Sequence, residues 1–270
     1  MWPYPFWIAH RGAGKLAPEN TLAAFRLGAA HGWRMAECDV KLSQDGVPFL
    51  MHDATLERTT SGHGAAGERP WGQLAQLDAG GWHSRQYAGE PLPTLENVAR
   101  WCLANGVLLD LEIKPTPGQD EITGQTVAAR AAALWADAPV PPLLTSFSVP
   151  ALQAAQRAAP RLPRGLLLDT LPPGWQATAQ ALQCVALVCN HQLWTPALVA
   201  EAKALGLRCL SYTVNDEAEA RRLISLGTDG IVSDAVDLFC PARGQALADA
   251  QPGAAQGNEE IGRASCRERV

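Results

Sequence analysis

The sequence predicts an α/β protein, a closed (β/α)8 TIM barrel with a small insertion after the second β unit. Three observations carry that prediction. Short apolar runs alternate with segments of helical period along most of the chain. Eight such units can be counted, more than an open doubly wound sheet usually holds. A chain of 270 residues is also of the length at which an eightfold barrel forms a single domain.

The first strand is Phe6 to His10, an apolar run that ends in His10-Arg11-Gly12. Pro18-Glu19-Asn20-Thr21 then opens a helix over Thr21 to Ala30, with Asn20 or Thr21 as its cap and Leu22, Phe25 and Leu27 toward a core. Met35 to Leu42 is the second strand. Gln44-Asp45-Gly46 turns the chain into Val47 to His52, and the two runs together make one extended β unit. Residues 54–93, rich in Gly and Pro, break the rhythm and are the expected insertion.

Leu95 to Asn105 is helical, Val107 to Ile113 a strand, and Glu121 to Trp135 a helix. Leu143 to Thr145 leads into a helix with Ser148 as cap and Pro150 in its first turn. Gly165 to Leu168 precedes a weak helix over Trp175 to Leu182. Val185 to Cys189 precedes one that begins Thr195-Pro196, and Leu207 to Thr213 one that is capped near Asn215. The last strand is Gly230 to Ser233, followed by Asp234 and a short helix.

Residues 1–243 are therefore expected to form one domain, and residues 244–259 a disordered linker. Residues 260–270 read as the translation of a common sequencing adapter and carry no fold information. Apolar runs are far shorter than the ~20 residues of a membrane span, and the first residues lack an export signal, so a soluble, cytoplasmic protein without stable membrane anchoring is expected. Scattered, odd-numbered cysteines with no C-x-x-C pair fit reduced thiols there. A formal charge of −5 without a basic stripe argues against nucleic acid as a partner and leaves homo-oligomerisation open.

In such a barrel the chemistry lies at the carboxyl ends of the strands. His10 and Arg11 stand at the first of these. Glu37 and Asp39, two apart on the second strand, share one face about 6 to 7 Å from each other. Ala36, Cys38 and Val40 face the helices instead. Glu112 and Lys114 repeat the spacing on the next parallel strand, and His52 follows the turn. Three acids in one mouth repel one another unless neutralised, and an all-oxygen set asks for one hard divalent cation, Mg²⁺ or Ca²⁺. His10 and His52 can give and take a proton near neutral pH, and Arg11 and Lys114 can hold phosphate oxygens. Those are the parts needed to cleave a phosphodiester.

His10-Arg11-Gly12, Pro18-Glu19-Asn20-Thr21, Glu37-x-Asp39, Asp45-Gly46 followed by His52-Asp53, and Glu112-Ile113-Lys114 together resemble, in order and spacing, the glycerophosphodiester phosphodiesterases. The resemblance runs from about Trp2 to Cys240. AHRGAGKLAPENTLAA, GEPLP, PRGLLLD and YTVN are most similar to the cytoplasmic bacterial members that accompany glycerol phosphate uptake. It implies a barrel with an insertion after the second β unit. It also implies Glu37, Asp39 and Glu112 as metal ligands, His10 and His52 as acid-base pair, and Arg11 and Lys114 as substrate-binding cations. The implied reaction releases sn-glycerol 3-phosphate and an alcohol from a small glycerophosphodiester. Which histidine is acid, and whether water or the substrate's 2-hydroxyl attacks, stays open.

Duller readings compete. Lys114 can bridge Glu112 structurally, and Glu19 can serve the helix start alone. His31, His63, His83 and His191 lack such company. Gly12-Ala13-Gly14-Lys15 fails as a phosphate loop because Ala9 and Leu16 stand where Gly and Ser or Thr are needed. Trp82, Phe147, Trp194 and Tyr212 can wall a pocket or fill core. A phospholipase D-like relative acting on lysophospholipids would want an apolar groove or a membrane-binding surface, and no amphipathic basic helix is evident. A non-catalytic phosphoester binder would not need both histidines.

Overall fold

A computed structural model describes residues 2–239. The remainder, including the boundary at residue 243 and the expected linker and adapter segments, lies outside the described residues. Eight parallel strands close on themselves: β1 (Trp7–Ala9), β2 (Met35–Leu42), β4 (Leu108–Ile113), β5 (Leu143–Ser146), β6 (Arg164–Leu168), β7 (Ala186–Asn190), β8 (Arg208–Tyr212) and β9 (Gly230–Ser233). Closure comes from β1, which pairs with β9 on one side and β2 on the other. The remaining strand, β3 (Pro48–Leu50), runs antiparallel to β2 and pairs Val40 with Leu50, as the Asp45-Gly46 turn requires.

Helices α1 (Leu22–Ala30), α3 (Leu95–Asn105), α4 (Asp120–Leu134), α5 (Val149–Ala158), α6 (Trp175–Ala181), α7 (Pro196–Ala204) and α8 (Glu217–Leu226) connect the parallel strands. Several start on the residues the sequence marks. Thr21, Ser148 and Thr195 each accept a backbone N–H of their first turn, with Pro150 and Pro196 early in the helices they open. Helix α8 is capped, as expected, near Asn215: Asp216 is the cap, and the Asn215 side chain is bonded to Asp234 instead. Of the short helix expected after Asp234, the described residues show one turn, in which the N–H groups of Leu238 and Phe239 both reach the Ala235 carbonyl.

Alternation along the strands builds two apolar layers. Ile8, Met35, Leu143, Leu167, Val188 and Leu210 fill the barrel, while Cys38, Val40, Leu111 and Ile113 face the helices. The insertion, with α2 (Trp71–Leu74), closes a small core of its own around Met51, Leu56, Leu74 and Leu92. Among the described residues no helix is long and apolar enough to cross a membrane.

Candidate active site

The apolar filling stops short of the carboxyl ends of the strands, where charge takes over. The register aligns Glu37 with Asp110 and Asp39 with Glu112, so four acids of β2 and β4 point inward side by side. Oxygens of Glu37, Asp39 and Glu112 lie within 4.8 Å of one another. Asp110 sits deeper, buried, and accepts a 2.7 Å hydrogen bond from the Thr145 hydroxyl. Burial pushes the Asp110 carboxyl up to about 7, and burial with the neighbouring Asp39 does the same for Glu112. Glu37 is raised well above the carboxylate range by burial and by Asp39 and Glu112. Asp39 goes the other way: burial opposes its charge, but Lys114 and Arg11 outweigh it and hold it low.

The cations are tied to these acids. Lys114 Nζ is 3.0 Å from Glu112 and 3.2 Å from Asp39, so the bridging arrangement exists, extended to a second acid. Arg11 Nε stands 3.4 Å from Asp39 Oδ2 without hydrogen-bond geometry, and Arg11 Nη1 donates to Glu19 at 2.8 Å. The Arg11 backbone is left-handed (φ 51°), which aims its N–H at Glu37 Oε2, 3.0 Å away. Asn20, also left-handed (φ 61°), donates its N–H to the Arg11 carbonyl. Its side chain brackets Asp39, donating to Oδ2 at 2.8 Å and accepting the Asp39 N–H at 3.1 Å. Thr21 thus takes the cap and Asn20 the site.

Both histidines line the same pocket, each backed by a carboxylate. His10 Nδ1 is 2.6 Å from Asp234 Oδ1, and its Nε2 stands 3.8 Å from Glu37 Oε2. Asp234 directly follows β9, and its own backbone packs so tightly on Gly14 that a Cβ on Gly14 would collide with it. His52 Nδ1 is 2.7 Å from Asp53, which also accepts from Arg58 of the insertion. Burial is the largest influence on His52 and lowers its pKa. Across the pocket Phe147, Leu167, Val188 and Tyr212 make an apolar wall, with Phe147 edge-on to Tyr212. Of the other aromatics, Trp194 is core and Trp82 lies outside the pocket lining.

All seven sequence-nominated side chains therefore lie at one mouth. Sequence reasoning did not single out Asp110 or Arg58, gave no role to Asp53 or Asp234, which it quoted only in passing, and left Asn20 as a cap. Period two counted back from Glu112 reaches Asp110, and the strand-end rule reaches Asp234.

The carboxylate set fits a divalent ion on an observation independent of any relative. Glu37 Oε1 is buried with no hydrogen-bond partner, beside two other acids whose charges it must share. An oxygen ligand to a hard cation satisfies such an atom.

Residues 10–238 match the glycerophosphoryl diester phosphodiesterase family. The chain belongs to that family. It is an enzyme, a phosphoric diester hydrolase. The glycerophosphodiester phosphodiesterase of Caldanaerobacter subterraneus is 32% identical over 232 residues, 84% of this chain and 93% of that one. An Oleispira antarctica phosphodiesterase, solved in complex with the product sn-glycerol-3-phosphate, superposes with a TM-score of 0.82 at 35% identity, covering 91% of this chain and 97% of the other. The Agrobacterium tumefaciens glycerophosphodiester phosphodiesterase does so with a TM-score of 0.71 at 29% identity, covering 88% and 99%.

Proposed function

We propose that this phosphodiesterase hydrolyses small glycerophosphodiesters to sn-glycerol 3-phosphate and an alcohol, using one divalent cation, Mg²⁺ or Ca²⁺, with His10 and His52 as acid-base pair. One observation carries the proposal: three converging carboxylates share a pocket with two imidazoles that are each backed by an acid. The product-bound Oleispira relative supports the substrate class. Residues 1–243 act as one catalytic domain with its insertion at 54–93, and the likeness to cytoplasmic bacterial members supports a cytoplasmic site of action.

Glu37, Asp39 and Glu112 would hold the cation, which when bound supplies Lewis-acid neutralisation of phosphoryl oxygens. Arg11 and Lys114, anchored beside those acids, bind the remaining phosphate oxygens. Asp234 and Asp53 accept from Nδ1–H, which leaves each Nε2 as the working nitrogen. One imidazole takes the proton of the attacking hydroxyl as its oxygen bonds to phosphorus. The other gives a proton to the alkoxide as the opposite P–O bond breaks. If the attacker is the substrate's 2-hydroxyl, a cyclic phosphate forms first and water opens it by the same exchange.

The test is release of glycerol 3-phosphate from glycerophosphocholine and glycerophosphoethanolamine by the purified chain, with and without chelator. Release that stops with chelator and returns with Mg²⁺ or Ca²⁺ is expected. Undiminished release in chelator rejects the metal, and no release under any condition rejects the substrate class.

A further inference from the structure

Arg58, a side chain of the insertion, reaches the carboxylates that line the back of the active site. Arg58 spreads its planar guanidinium over two carboxylates. Nε and Nη2 donate to Asp53 at 2.6 and 2.9 Å, and Nη1 and Nη2 donate to Glu19 at 2.8 and 2.7 Å. Each acid has a second partner inside the pocket. Asp53 Oδ1 holds His52 Nδ1 at 2.7 Å, and Glu19 Oε1 accepts from Arg11 Nη1 at 2.8 Å. One guanidinium therefore ties together the acid behind an imidazole and the acid behind the buried arginine.

We propose that Arg58 is a positioning residue, a two-armed clamp that sets the rotamer of His52 through Asp53 and that of Arg11 through Glu19. The proposal rests on the reading of His52 and Arg11 given above. Arg58 touches no reacting atom, and its side chain is 45% exposed, so its worth lies in orientation more than in stability. A fork of five donors in one plane can hold two carboxylates at once, which an ammonium on a flexible stem cannot do with the same geometry. Without the clamp Asp53 can turn to water, and His52 loses the partner that fixes its tautomer and ring plane. Misplacing a reacting group by about 1 Å can cost up to roughly 100-fold in rate.

The insertion does not need Arg58 for its own fold. It has a separate apolar core, an Asp78 carboxylate that accepts the N–H groups of Gly80 and Gly81, and a Glu90 carboxylate docked on the Ala23 N–H at the start of α1. A merely structural arginine and a positioning one are therefore separable by measurement.

Kinetics of glycerol 3-phosphate release with saturating Mg²⁺ or Ca²⁺ supply the test, alongside thermal unfolding of each variant. Arg58→Ala should lower kcat about tenfold and raise KM several-fold, with little change in Tm. Arg58→Lys should restore neither parameter fully, whereas added ethylguanidinium should recover part of the kcat of Arg58→Ala. Asp53→Asn should reproduce mainly the kcat loss and Glu19→Gln mainly the KM rise. Adding Arg58→Ala to the Asp53→Asn/Glu19→Gln pair should cost less than threefold more. Asp78→Ala, which loosens the insertion without touching the clamp, should lower Tm while kcat stays within twofold. Arg58→Ala with unchanged kcat and KM overturns the proposal, as does a loss matched by Asp78→Ala or one that adds in full to the double variant. Failure of the wild type to release product is a different result, since it rejects the phosphodiesterase reading and not the clamp alone.

Discussion

His10 and His52 reach one pocket by different routes. His10 is fixed where the barrel closes: its carboxylate arrives on Asp234, at the end of the last strand, and is steadied by Asn215 at 2.9 Å. His52 is fixed by its own chain neighbour, Asp53, whose charge is shared with Arg58. Burial pushes the Asp234 carboxyl up, but His10 first, then the Asn215 amide and the charge of Lys15, outweigh that and leave it at about 2, with no ion pair to Arg or Lys within 4.0 Å among the described residues. Asp53 is also held low, first of all by Arg58. One imidazole therefore depends on completion of the fold and the other on a surface insertion, and the first shares its acid with a neutral amide where the second shares its acid with a guanidinium.

The largest expected effect treats both alike. His10→Ala and His52→Ala should each cost roughly 10²- to 10⁴-fold in kcat, read from product release with folding matched by circular dichroism. Nearly full activity in either breaks the pairing. Next, Glu37→Gln should weaken cation binding, followed by calorimetry with Ca²⁺ or Mn²⁺, by more than the roughly 10- to 100-fold that loss of an outer partner costs. Unchanged affinity would remove Glu37 from the ion. Asp234→Asn should lower kcat on the order of 100-fold, against about tenfold for Asp53→Asn. An equal or reversed pair of losses would mean that sharing Asp53 with Arg58 does not dilute its hold on His52.

The legibility of these two arms differs in the same way. Strand β2 and the spacing of Glu37, Asp39 and Glu112 are readable because period two is a local rule. So is His52, which directly precedes the acid that holds it. Asp234 lies 224 residues from His10, and only closure of the sheet brings them together. Asn20 misleads because its residue type serves a helix cap equally well. Its left-handed backbone, which turns it onto Asp39, is a tertiary outcome. Asp110 was within reach of the period but looks like one more polar residue until Thr145 and its burial are seen. Arg58 sits in a segment with no periodicity, where no sequence rule says which way a side chain points.

The smallest effect concerns pH. Glu37, Glu112 and Asp110 have carboxyls raised by burial, the last two to about 7, so in the metal-free protein they favour the folded state when protonated. That stability is complete below the unfolded carboxylate pKa near 4 and is lost as pH rises toward 7. A cation replaces the protons. Its addition should therefore raise Tm by several degrees at pH 8 and by little at pH 5, where protons already occupy the acids. Equal shifts at both values would place the ion away from this cluster.

One ion is expected among Glu37, Asp39 and Glu112, beside the two imidazoles. Crystals grown with Mn²⁺ and glycerol 3-phosphate, measured for anomalous scattering, test it most directly. A single strong peak is expected about 2.0 to 2.6 Å from an oxygen of each of the three acids, with the phosphate between it and His10 and His52. A peak that leaves Glu37 or Glu112 uncoordinated, or one outside this mouth of the barrel, would contradict it.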